Sequence, residues 1–220
     1  MNAGLWYDDK AKVIYTGFAG RVSGLGNAPQ AYPLGIWSFA PDGKGGGIWN
    51  DTVNSKSSFW KQITRPYNGL MAFGAGVGYV LGGASTYQTS PETESLGGEI
   101  VPLSVLMKFD MTSKDLSNST VTGTRSTGKI QMGGMHYIPS FGPKGLFIVM
   151  GGDQPTGIVD DLFDFNTVSI LDPDSGQWYD QITTGDAPQP RKEFCVAGVE
   201  SNNHTYEMYA CRLTINHLHN

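Results

Sequence analysis

Apolar residues along this chain come in short bursts, each cut off by glycine or a polar turn. "LFIVM" at 146–150 stops on Gly151-Gly152, "GYVL" at 78–81 on Gly82-Gly83, and "VIYT" at 13–16 on Gly17-Phe18. No segment keeps apolar residues at i, i+3, i+4 and i+7 for more than about two helical turns. The bursts are rich in Val, Ile, Tyr, Phe and Trp, which suit a pleated, half-buried surface. The pattern predicts an all-β chain.

The bursts repeat. Gly17, Gly82 and Gly151 are spaced by 65 and 69 residues. After each comes a loop, a strand ("GIWSFAPD", "VLMKFDMT", "VSILDPDS"), a turn, and a large apolar residue. Those residues, Trp49, Leu116 and Trp178, are spaced by 67 and 62. Two markers in phase define a repeat, the feature to seek before secondary structure is assigned. Ahead of each glycine marker, "LWYDDKAKVIYTG", "LMAFGAGVGYVLGG" and "MHYIPSFGPKGLFIVMGG" each read as strand, turn, strand. Each unit therefore holds four short antiparallel strands in a meander. The predicted units are 1–56, 57–123 and 124–184. Residues 185–220 give a partial fourth: "FCVAGVESNNHTYEMY" supplies its first hairpin, and the pattern fails at "ACRLTINHLHN".

Composition narrows the function classes. Thirty of 220 residues are glycine, about twice the usual ~7%, as many tight turns require. The net charge of −5 supplies no basic field for phosphates, so nucleic acid is excluded as an expected partner. No apolar stretch approaches the ~20 residues that span a bilayer, and "MNAGLWYDDK" lacks the features of a signal peptide. Against this, Asn50-Asp51-Thr52, Asn118-Ser119-Thr120 and Asn203-His204-Thr205 fit the N-glycan acceptor pattern. An internal piece of a longer secreted protein would reconcile the two.

The residue types suit sheets set side by side around an axis. Glycine at the end of a second strand allows close approach and reaches φ > 0 without a Cβ clash. A tryptophan on the fourth strand is large enough to cross the gap to a neighbouring sheet, where full burial contributes about 1.5–3 kcal/mol. Arg65, Arg125 and Arg191 precede the first strands of units two, three and four. They read either as donors between sheets or as surface residues.

Four-stranded units at fixed period, with diglycine and tryptophan markers, resemble the kelch repeat of β-propellers over residues 4 to 209. "GLWYDDK", "PLGIWSFAPDG", "MGGD" and Pro190-Arg191 ahead of "FC" are most similar to fungal kelch-repeat ectodomains, whose propeller is like the central domain of galactose oxidase. Phe18 departs from the pattern where a second glycine belongs, and Leu116 where a tryptophan belongs. The resemblance implies about six blades in the whole protein, with a signal peptide and often a membrane anchor. Three blades and a hairpin form an open arc with exposed edges. Such an arc is expected to be marginally stable or prone to aggregate unless the remaining blades are supplied.

Chemical motifs are sparse. "GAGVG" at 74–78 joins two strands and reads as a hairpin turn, not a phosphate cradle. The copper radical oxidases among kelch relatives need converging histidines and tyrosines, but His136, His204, His217 and His219 are scattered. The specifier proteins of this fold use a Glu/Asp/His iron set; here Asp160, Asp161 and Asp164 have no histidine beside them and read as solvated loop acids. Cys195 and Cys211 flank a hairpin centred on Asn202-Asn203 or one residue beyond, and read either as two buried thiols or as a cross-strand disulfide. The expectation is a non-enzymatic module without cofactor, taking a protein or a glycan through the loops after the glycine pairs, 84–102 and 153–167. Tyr87 and Asp153 are the foremost candidates there.

Overall fold

The computed structural model describes residues 4–18, 34–53, 57–89, 91–156, 161–203 and 205–211. The fold is a partial β-propeller of antiparallel sheets. Blade one is β1 (Gly4–Asp8), β2 (Val13–Gly17), β3 (Ile36–Pro41) and β4 (Gly47–Val53). Blade two is β5 (Leu70–Gly74), β6 (Val77–Leu81), β9 (Val105–Asp110) and β10 (Leu116–Thr120). A two-stranded ribbon, β7 (Ala84–Ser85) and β8 (Val101–Pro102), lies between its second and third strands. Blade three is β11 (Gly134–Ile138), β12 (Leu146–Met150), β13 (Thr167–Leu171) and β14 (Trp178–Ile182). The hairpin of β15 (Cys195–Glu200) and β16 (Tyr206–Cys211) follows.

Local chemistry sets the turns. β5 and β6 are joined by Ala75 and Gly76, both at positive φ (50° and 77°), the two-residue geometry that matches strand twist. Aspartates close the turns between third and fourth strands: Asp110 Oδ1 accepts the amides of Thr112 and Ser113, and Asp172 Oδ1 that of Asp174. Asp42 Oδ1 likewise accepts the amides of Lys44 and Gly46, which hold its carboxyl below the usual carboxylate range. Because each unit meanders, all long connections emerge at one end of the arc and all short turns at the other.

The first strands β1, β5, β11 and β15 lie side by side, and apolar clusters fill the spaces between successive blades. Trp6, Tyr15, Phe18, Ile36, Val80, Met107 and Phe109 form the first; Trp6 stacks on Phe109 with ring centroids 5.9 Å apart. Leu70, Tyr79, Leu81, Leu106, Met135, Phe147 and Leu171 form the second, around a Tyr79–Phe147 contact of 4.5 Å. Burial there pushes the Tyr79 phenol up to about 12. Ile138, Ile148, Met150 and Phe165, with Phe194 and Tyr206 against them, form the third.

The structure corrects the register of the first glycine marker. β2, β6 and β12 end at Gly17, Leu81 and Met150. The next residues, Phe18, Gly82 and Gly151, share a left-handed backbone with φ of 52°, 63° and 57°. Phe18 is thus the counterpart of the first glycine of the pairs, Gly17 sits one place earlier in the strand, and the second-glycine position of blade one falls on Ala19, outside the described residues. Phe18 holds the strained conformation because its ring is buried between Trp6 (5.9 Å) and Trp60 (5.6 Å).

The two glycines of a pair meet different neighbours. A Cβ at Gly82 would lie 2.4 Å from the Ile130 carbonyl oxygen, in the approach to the next blade. A Cβ at Gly83 would lie 2.7 Å from the Tyr67 carbonyl oxygen of its own blade's entry segment. The second glycine also carries an inter-blade hydrogen bond: Gly83 N–H donates to Ile130 O (2.7 Å) and Gly152 N–H to Arg191 O (2.9 Å).

The fourth-strand markers do not share one environment. Trp178 and Leu116 are half-buried against the second and first clusters. Trp49 is 57% exposed and rests on Phe39, 5.0 Å between centroids. Full burial, expected for a fourth-strand tryptophan, is corrected for Trp49: no sheet among the described residues covers that side of blade one.

Candidate functional site

The first strands β5, β11 and β15 are each entered through one residue in the left-handed region: Asn68, Met132 and Glu193, with φ of 56°, 55° and 57°. Their backbones form a ladder across the arc, Met132 N–H donating to Asn68 O (2.9 Å) and Glu193 N–H to Met132 O (2.8 Å). The ladder rims one cavity of about 380 Å³, lined by Asn68, Gly69, Met132, Gly133, Glu193 and Phe194.

A second cavity, about 420 Å³, runs along the first strands toward the short-turn end, between Leu5, Met71, Phe73, Met135, Tyr137 and Pro139. Its polar groups are His136 and Tyr206, with His136 Nε2 2.9 Å from the Tyr206 hydroxyl. Gly198 makes room for them, since a Cβ there would sit 2.3 Å from the Tyr206 ring and 2.5 Å from His136 Nε2. Burial lowers the imidazole pKa from its ordinary 6.5 and raises that of the phenol. A neutral imidazole and a neutral phenol can each donate or accept one hydrogen bond toward a bound molecule. The two residues are 70 positions apart and share no motif, so the sequence carried no sign of their meeting.

The loop after Gly82-Gly83 is more ordered than a plain connection. β7 pairs with β8, and a short 3-10 helix, Pro91–Leu96, follows Tyr87. Within it, buried Thr89 Oγ1 donates to Thr86 O (2.8 Å) and lies 3.1 Å from Ser85 Oγ, while Thr93 Oγ1 also donates to Thr86 O (2.7 Å). Tyr87 stands on this braced turn, 46% exposed.

Asp153 does not stand in solvent with it. Its side chain is buried, 3% exposed as a residue; its backbone pairs with Gln131, and its Oδ2 accepts from Lys192 Nζ (2.7 Å). The residue after the second glycine is drawn into the seam between blades, which corrects its assignment to the exposed part of the loop. Asp164 is held by Arg125, whose Nη1 donates to its Oδ1 (2.9 Å) and whose guanidinium covers Phe163. That bond lowers the Asp164 pKa, so this acid is paired and not simply solvated. Arg191 lies over Phe165 at 5.9 Å and Arg65 is buried.

Asn50 on β4, Asn118 on β10 and Asn203 in the last hairpin turn are all exposed. Cys195 and Cys211 are exposed too, correcting the reading as buried thiols. Asp160, His204, His217 and His219 lie outside the described residues. Among the described residues, no group of three His, Cys, Asp or Glu side chains is placed to hold a metal ion, and no helix is long and apolar enough to cross a membrane.

No protein-family model matches the chain, and no curated protein sequence does. Among solved structures, the one titled "Structure of YjhT" is similar over 83% of this chain and 51% of that one, at 14% identity and a TM-score of 0.48. The chain thus spans about half the length of that structure. The sheets themselves carry the fold assignment: repeated four-stranded antiparallel meanders, first strands adjacent and glycines at the seams, fit a partial β-propeller.

Proposed function

We propose that this chain is a non-catalytic binding or scaffolding part of a kelch-type propeller, of the kind found in fungal kelch-repeat ectodomains, and that it recognises a protein or a glycan through its long blade loops. The observation that carries the reading is the braced loop 84–102, which holds Tyr87 out on the hydrogen bonds of buried Thr89 and half-buried Thr93. A pre-ordered loop loses little conformational entropy on binding, and an exposed tyrosine offers an apolar face with a polar tip. The exposure of Asn50, Asn118 and Asn203 supports a secreted, glycosylated protein.

The test is to screen the chain against a glycan array and a panel of secreted proteins, then repeat any hit with Tyr87→Ala. The reading expects binding to fall at least about tenfold, equivalent to about 1.4 kcal/mol, with thermal stability unchanged. Binding that survives both Tyr87→Ala and replacement of 86–100 by a short turn would overturn it.

One observation favours a second reading, an enzymatic propeller, copper-oxidase-like or iron-dependent, whose remaining residues come from other blades: the His136–Tyr206 pair at the cavity along the first strands. The described residues alone do not make up a metal ligand set. Stoichiometric Cu(II) or Fe(II) binding to the chain, abolished in His136→Phe, would support this reading; binding unaffected by that substitution would reject it.

A further inference from the structure

The β15–β16 register places Cys195 directly opposite Cys211, at the last rung of the hairpin. Ser201 N–H donates to Thr205 O at the rung beside the turn, and rungs alternate from there. The cysteines therefore fall on a hydrogen-bonded rung, where Cα atoms lie about 5.5 Å apart, inside the range that disulfides span. Directly opposed residues project to the same side of a sheet, so the thiols share one face, and both are exposed.

The other blades show what this rung does. Its counterparts are Gly4 with Gly17, Leu70 with Leu81, and Gly134 with Met150. All six residues are buried, and Gly134 faces Val196 and Phe194 of the following hairpin. The rung is thus where a first hairpin is clamped by the blade after it. On β15–β16 no blade among the described residues does so, and a two-stranded hairpin is marginal by itself.

We infer that Cys195 and Cys211 form an intrachain disulfide that clamps this hairpin at the rung that the other blades bury. The reaction is thiol–disulfide exchange with a low-molecular-weight disulfide. One cysteine thiolate attacks it, releasing one small thiol, and the second thiolate displaces the other. The protein dithiol loses two electrons and two protons, and the small disulfide is reduced to two thiols. The closed loop of about 15 residues is long enough for the cross-link to restrict the unfolded chain substantially.

The experiment treats the full 220-residue chain with oxidised glutathione, blocks remaining thiols with iodoacetamide, and maps peptides without reduction. The expected result is a Cys195–Cys211 linked peptide in monomeric protein, no alkylation at either position, and a midpoint of thermal unfolding about 5 °C or more above that of the reduced chain. The double variant Cys195→Ser, Cys211→Ser should melt like the reduced chain and ignore reductant. Full alkylation of both thiols, stable mixed disulfides with glutathione, or cross-links only between chains would overturn the inference.

Discussion

The same row of four residues crosses all three complete sheets, and its surroundings differ between the first blade and the other two. The row is Tyr7, Ile14, Phe39 and Trp49 in blade one. It is Phe73, Gly78, Phe109 and Leu116 in blade two, and Tyr137, Phe147, Leu171 and Trp178 in blade three. The middle of the row is sealed in the later blades: Trp6 of blade one lies on Gly78, and Phe109 and Phe147 are fully buried. In blade one, Ile14 and Phe39 are half-buried and Trp49 is largely exposed. Equal positions in equivalent sheets differ according to what packs on them. Burial in a propeller belongs to the seam between blades, and each sheet supplies half of it.

The largest expected effect comes from emptying a seam. Phe109→Ala or Phe147→Ala should cost about 3–5 kcal/mol in urea-denaturation equilibria, because each leaves a cavity in a fully packed cluster. A loss below about 1 kcal/mol would break the claim that these faces are stacked. Gly82→Ala should cost about 2 kcal/mol by the same measurement, combining a left-handed backbone with a Cβ set against the Ile130 carbonyl. Gly76→Ala is the control, with a similar φ and open space around its Cβ, and should cost about half as much.

Next comes the His136 imidazole. Burial holds the His136 pKa below 6.5 in the folded chain. The neutral ring's contribution to stability is therefore present above pH 6.5 and is lost as pH falls through the depressed folded value. An NMR titration of the His136 ring should give a midpoint below 6.5, and His136→Phe should flatten the accompanying decline in stability. A midpoint at or above the ordinary value would contradict the placement of the ring. The smallest effect is at the exposed end of the row: Trp49→Ala should cost about 1 kcal/mol or less, the worth of its contact with Phe39.

Much of this was legible in the sequence because the seams constrain residue type. Gly82-Gly83 and Gly151-Gly152 mark places where a Cβ has nowhere to go, and the meander followed from strands separated by turn residues. The first glycine marker slipped by one because Phe18 occupies a glycine's conformation, at a strain that its contacts with Trp6 and Trp60 offset. The ladder through Asn68, Met132 and Glu193 was illegible, since methionine and glutamate give no signal for a left-handed backbone. Asp153 was misread because a polar residue after a diglycine looks like the start of a loop, and only Lys192, 39 positions on, reveals the seam. Tyr87 was legible as a loop aromatic, but the threonine bonds that brace it are set by the fold of its own loop.

The most direct test uses two residues of one type on one sheet. Trp6 and Trp49 lie on opposite faces of blade one, Trp6 against blade two and Trp49 on the uncovered side. Hydroxyl-radical footprinting of the chain, read by mass spectrometry, should oxidise Trp49 rapidly and leave Trp6 protected until the protein unfolds. Equal oxidation of the two in the folded chain, or protection of Trp49 with Trp6 open, would contradict the stacking of blades on which the account stands.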